Sequence, residues 1–189
     1  GTTFIDDCQW NRSAEYEKHV NLTVDTTNGY VISTNYQNAR YAMMPKGVSC
    51  GNGVYTCYIS PKVWDTTMAL RGGIVFCANA ASTSPSTFYY TRINISPTDF
   101  NISIHENITS IAWGPPGETV ALNEWIKIEV VFKSPTITVN AYRLSGELIG
   151  TCTATSSTYT SGYCGIMQYP IANGTGNGRM AFKNFQFIA

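Results

Sequence analysis

From Trp125 the chain reads W-I-K-I-E-V-V-F, then K-S-P, then T-I-T-V-N-A-Y as far as Tyr142. Ile126, Ile128, Val130 and Phe132 share one parity, and Ile137, Val139 and Ala141 repeat it. That alternation predicts two half-buried strands joined by a Pro-containing turn. Both runs are rich in β-branched residues, which suit a pleated surface. A hairpin this apolar on one face is not stable alone and requires a second sheet over it.

The same pattern recurs along the chain. Val20–Val24, Tyr30–Thr34, Arg40–Met44, Val54–Ile59 and Gly73–Ala78 read as strands, the last apolar on both faces as in a sheet interior. Phe88–Ile95, Phe100–His105, Leu148–Thr153, Gly162–Gln168 and Met180–Phe187 follow. Asn28-Gly29 is a hairpin turn signal, because both residues tolerate positive φ. Phe182 and then Phe185 and Phe187 change parity, which predicts a bulge at Lys183-Asn184. Residues 1–19 read as irregular, with one short helical turn at Ser13–Lys18. Trp113-Gly-Pro-Pro-Gly117 reads as a rigid loop. Asn173-Gly-Thr-Gly-Asn-Gly178 precedes a strand and reads as a flexible turn. The sum is about twelve strands, little helix and no repeat. The expected fold is all-β: a two-sheet antiparallel β-sandwich, in one domain over residues 1–189.

Asn-x-Ser/Thr occurs at Asn11, Asn21, Asn94, Asn101, Asn107 and Asn173, twice the roughly three that chance would give. A glycan must face water. If Asn94 and Asn101 carry one, Phe88, Tyr90 and Arg92 face solvent, and Tyr89, Ile93 and Ile95 face inward. Ser103 and His105 then lie outside, with Ile102 and Ile104 inside.

Charged residues make up only 13% of the chain, and 12 Lys plus Arg balance 12 Asp plus Glu. Nucleic acid is therefore not expected, since it calls for a basic stripe. No apolar run is long enough for a membrane span. The chain opens at Gly1 without Met, as a processed product or an excised module would. Six cysteines, Cys8, Cys50, Cys57, Cys77, Cys152 and Cys164, are an even set without C-x-x-C. They read as a disulfide framework, with Cys50–Cys57 and Cys152–Cys164 favoured locally and Cys8–Cys77 left over. Cysteines and sequons together predict a secreted, extracellular product. With two histidines and isolated Asp25, Asp65 and Asp99, no metal site and no cofactor are expected.

The W-x-K-I-x-V strand, the T-V-x-A-Y strand, Ser161–Met167 (S-G-Y-C-G-I-M) and Ala181–Phe187 (A-F-K-N-F-Q-F) follow a familiar order. Over residues 70–189 this resembles the concanavalin A-like lectin/glucanase and laminin-G-like jelly rolls. The resemblance implies two curved sheets and, often, a carbohydrate on the concave face. Glycosidases of that group carry paired carboxylates as E-x-D-x-E, and this chain has no such motif. Lyases of the group would use His, Tyr and Arg, for which His105, Tyr90 and Arg92 are the available set.

Sugar binding needs flat aromatic faces ringed by hydrogen-bonding groups. Trp64, Tyr90, Arg92 and Trp113 are the candidates. Three functions remain open. The first is a non-catalytic extracellular module for glycan recognition or adhesion, with a glycan or an extracellular protein as partner. The second is a structural subunit of a self-assembling fibre or coat, in which the N-terminal segment could join a neighbour's sheet edge. The third is a polysaccharide lyase or glycosidase.

Overall fold

The computed structural model describes residues 3–5, 15–33, 41–168 and 177–189. In chain order the strands are β1 (Thr3–Ile5), β2 (Tyr16–Lys18), β3 (Leu22–Asp25), β4 (Tyr30–Ser33) and β5 (Tyr41–Pro45). Then come β6 (Gly53–Val63), β7 (Leu70–Ala78), β8 (Tyr89–Ile95), β9 (Phe100–Glu106) and β10 (Thr109–Gly114). The last are β11 (Ile126–Lys133), β12 (Thr136–Arg143), β13 (Leu148–Thr155), β14 (Tyr163–Gln168) and β15 (Arg179–Ile188). One sheet has eight strands, ordered β13-β12-β11-β6-β15-β4-β3 with β1 also on β15. The other has seven, ordered β10-β9-β8-β7-β14-β5-β2. No described helix is long and apolar enough to cross a membrane.

The alternation read from the sequence sets the packing. In the β11–β12 hairpin, Ile128 stands opposite Ala141, Val130 opposite Val139 and Phe132 opposite Ile137. All six are buried, while Lys127, Glu129 and Val131 point the other way. Between the sheets, Phe76 of β7 lies 5.0 Å from the Tyr55 ring of β6 and 5.2 Å from Phe132 of β11. It also lies 5.4 Å from Tyr89 of β8. Tilted ring pairs add about 0.5–1.5 kcal/mol each beyond the area they bury. The bulge expected at Lys183-Asn184 is present: the β15–β6 register shifts between Lys183 and Gln186, and Asn184 takes φ 55°. It keeps Phe182, Phe185 and Phe187 all in the core.

Several expectations are corrected. Fifteen strands are present among the described residues, not about twelve. The additional ones are β1, β2 and β10. The first two have three residues each, too few to show a period. They lie in the segment read as irregular, and the expected helical turn is partly replaced by β2. The third carries Trp113, which sits on a strand and not in a loop.

No disulfide joins the described cysteines. Cys50, Cys57, Cys77, Cys152 and Cys164 are all free, buried thiols, while Cys8 lies outside the described residues. The proximities also differ from those expected. Cys50 forms a bridge with Gly162, and its thiol meets Cys164, with Cys77 nearby. Cys152 is across the sandwich on β13. Sheet register thus brings together cysteines distant in sequence. Burial pushes the Cys77 thiol up to about 12 and that of Cys57 higher still, so both stay protonated and unreactive.

Phe76→Ala should destabilise the protein by about 3–5 kcal/mol, as large-to-small changes in packed cores do. Val131→Ala, on the outer face of the same sandwich, should cost less than about 1 kcal/mol. Urea denaturation followed by tryptophan fluorescence measures both. Equal costs for the two would contradict the packing described.

Candidate functional site

The site lies on the seven-stranded sheet, on the face turned away from the sandwich core. Strand alternation builds it. Leu70, Ile74, Phe76, Tyr89, Ile93, Ile95, Ile102 and Ile104 face the core. Their neighbours in sequence therefore face outward, and antiparallel register aligns these into rungs. One rung is Arg71, Asn94 and Asn101. The next is Gly73, Arg92, Ser103 and Trp113. The third is Val75, Tyr90 and His105.

A hydrogen-bonded chain fixes the polar groups. Asn94 Nδ2 donates to Asn101 Oδ1 at 2.8 Å and approaches Ser103 Oγ at 3.4 Å. Ser103 Oγ lies 2.9 Å from His105 Nε2. The Tyr90 and His105 rings are 5.9 Å apart. Burial, then the charge of Arg92, lower the His105 pKa to about 4 against an opposing hydrogen bond with the Ile108 backbone, and Arg71 adds the smallest lowering effect. His105 is therefore neutral at pH 7. Its Nε2 is left to accept from Ser103 while the other nitrogen donates to the Ile108 backbone.

The third rung is sealed. Phe88, Tyr90, Val75, Ala78, Ala42, Met44 and Met167 form a second apolar cluster, with Ala81 and Tyr163 packed on it. The segment 79–87 closes over them: Ala42 N donates to Thr83 O, and Asn79 Oδ1 accepts from Ser86 N and Thr87 N. The first two rungs are more open. Next to the first is a pocket of about 640 Å³, lined by Trp64, Asp65, Met68, Asn94, Pro97 and Asn101 among others. At the far end of the second, Trp113 is 58% exposed on edge strand β10.

The structure brings three of the expected residues to this face: Arg92, Tyr90 and Trp113. Trp64 lines the adjoining pocket while packing partly on the core. Tyr90 is corrected: at 1% exposure it is covered and offers no stacking platform. Phe88, Ser103 and His105, expected in water, are buried too. The parity was assigned to the right faces, but part of this sheet's outer face is covered too. Asn94 is also corrected as a water-facing residue. It is 7% exposed, and its Nδ2, the atom that would carry a glycan, is engaged. Asn107 holds φ 55° and accepts from Phe88 N and Tyr159 Oη through Oδ1. Asn11 and Asn173 lie outside the described residues. Arg71 was not singled out from the sequence. Its parity against Leu70 and Ile74 marks its face, but nothing local aligns it with Asn94.

No family model matches the chain, and no curated protein sequence matches it. Solved structures do match in fold. The carbohydrate binding module CBM66 from Bacillus subtilis aligns at TM-score 0.63 and 14% identity, over 92% of this chain and 96% of that one. Winged bean acidic lectin complexed with methyl-α-D-galactose aligns at 0.69 and 9% identity, over 98% and 97%. The GH43 protein BlXynB from Bacillus licheniformis aligns at 0.64 and 11% identity, over 98% of this chain and 39% of that one. The chain thus shares with these proteins the fold of a two-sheet antiparallel β-sandwich.

The His105 shift has a stability consequence. The ring is faced by Arg92, Arg71, Tyr90 and Ser103, none of them acidic. Below its ordinary value of 6.5 the unfolded chain takes up a proton that the folded chain refuses until about pH 4. Stability is therefore lost as pH falls through that window. Between pH 7 and pH 4.5 the native protein should lose roughly 2 kcal/mol more than His105→Gln, from about 1.4 kcal/mol per pH unit of separation. Parallel urea titrations at the two pH values measure this, and matching losses would contradict it.

Proposed function

We propose that the chain is a non-catalytic glycan-recognition module whose seat is the open part of the outer face of the seven-stranded sheet. The observation that carries this is Trp113, broadly exposed and in register with Ser103 and Arg92. An exposed indole offers a flat apolar face for the C–H side of a sugar ring. The Asn94–Asn101–Ser103 chain and the Arg92 guanidinium supply oriented polar groups beside it. The pocket at Trp64 extends the seat at the other end. Likeness in fold to a carbohydrate binding module and to a galactoside-bound lectin supports the reading. Six sequons support a secreted, N-glycosylated product. Recognition without turnover is supported by the engagement of the acid and base groups nearby. The Asp65 carboxylate accepts from Thr67 N and Oγ1, and His105 Nε2 is committed to Ser103.

A second reading, self-assembly through a sheet edge, is favoured by β10. This edge strand exposes Ile111 and Trp113, and Ile108 is exposed just before it. Unpaired edges with apolar side chains invite strand addition.

A glycan array followed by calorimetry on the hits tests the first reading. Trp113→Ala should weaken binding at least about tenfold, roughly 1.4 kcal/mol, with an unchanged melting temperature. Binding indifferent to Trp113, or absent across neutral and acidic arrays, would overturn it. Sedimentation at rising concentration tests the second: a monomer throughout would remove it. In protein secreted from eukaryotic cells, site mapping should find Asn94 bare, because a glycan on a buried, bonded Nδ2 would force β8 apart from β9. Full occupancy of Asn94 in folded material would contradict that placement.

A further inference from the structure

Arg71 is the polar side chain on this face that the fold leaves least explained. It stands in the rung with Asn94 and Asn101, next to the Trp64 pocket. Its Nε and Nη1 are buried, yet among the described residues neither meets a hydrogen-bond partner. The carboxylates in the region are placed elsewhere. Asp65 is held by Thr67, and Asp99 is exposed at the pocket rim. Glu106 has the opposite parity and accepts from Ser156 Oγ, while Glu17, at the far edge of the sheet, is 3.7 Å from Lys46. Buried N–H groups of a permanently charged guanidinium that lack an acceptor are unfavourable until an anion arrives.

We propose that this face binds an anionic oligosaccharide, its acid group, a uronate carboxylate or a sulfate ester, seated on Arg71. The inference rests on the glycan-recognition reading and narrows its ligand class. Guanidinium to carboxylate or sulfate is a charge-assisted pairing, stronger than a neutral hydrogen bond. Strands β7 and β10 are three strand spacings apart, about 14 Å. An acid on Arg71 and a ring against Trp113 therefore belong to different sugars of one chain, which passes over Arg92 and Ser103. That span excludes a single monosaccharide bridging both.

Calorimetry with defined probes tests this. The probes are oligogalacturonate, its methyl-esterified form, a sulfated chondroitin oligosaccharide, and neutral galacto- and gluco-oligosaccharides. One of the two acidic probes should bind at least tenfold more tightly than the neutral ones, and the preference should shrink as salt rises. Oligogalacturonate alone would identify the carboxylate, and the chondroitin probe alone the sulfate ester. Arg71→Gln should bring the acidic probe down to the affinity of its neutral counterpart. If that variant does not fold, the preference of the native protein between oligogalacturonate and its methyl ester, or between sulfated and unsulfated chondroitin, decides the point. Equal affinity for acidic and neutral probes would overturn the acidic class and leave recognition standing. No binding to any probe would overturn both.

Discussion

Two sheets meet through rings. Phe76 stands at the centre of a group in which Tyr55 and Phe132 come from the eight-stranded sheet and Tyr89 from its own. Tyr55 continues the contact to Phe187 at 4.5 Å and ties its hydroxyl to Gly51 O at 2.6 Å. Side chains this large hold the sheets at one separation and one offset, because close-packed cores leave no room to slide. Every outward position on β7, β8 and β9 is then determined. With Phe76 inward, Val75 must be outward, and with Tyr89 inward, Tyr90 must be outward.

An antiparallel sheet of a sandwich ordinarily turns its second face to water. Here that face is divided. The segment 79–87 covers the end carrying Val75, Phe88 and Tyr90, which forms a small second core. The part carrying Arg71, Arg92 and Trp113 is less covered: both arginines are half-buried and Trp113 is exposed. His105 lies at the boundary, and the division decides its charge. Water is too scarce there to stabilise an imidazolium, and two guanidinia oppose one. A neutral ring can accept from Ser103, which helps set the direction of the polar chain running back to Asn94. The hydrogen bonds that order the open rungs thus depend on the sealed one.

Much of this was legible in the sequence. Alternation located the strands of both sheets, and the parity change from Phe182 to Phe185 located a bulge now seen in both register and φ. Parity also grouped Tyr90, Arg92 and His105 on one side of neighbouring strands. Two kinds of information were missing. Alternation tells which residues share a face but not what lies over it, so Tyr90 and Phe88 were assigned to water. The covering segment, A-S-T-S-P-S-T, is small and polar and gives no periodic signal. Register between strands far apart in sequence is not local either. It decided that Cys50 meets Cys164, that Arg71 meets Asn94, and that Trp113 meets Ser103.

The Gly72-Gly73 pair in β7 connects core and site most directly. A Cβ on Gly72 would lie 2.6 Å from the Phe182 ring and 2.7 Å from Met180 Sδ, so its absence lets β15 press against the sheet from inside. A Cβ on Gly73 would lie 1.9 Å from Thr91 O, so its absence lets β7 and β8 approach closely. On the outer face Gly73 separates Arg92 from Met167 and puts no side chain between them. The same two residues therefore tighten the interior and leave β7 without a side chain between Arg92 and Met167. Any larger residue at position 73 would separate β8 from β7 and place a side chain there. The packing of the sandwich and the spacing of the outward side chains on β7 and β8 are thus consequences of one sequence feature.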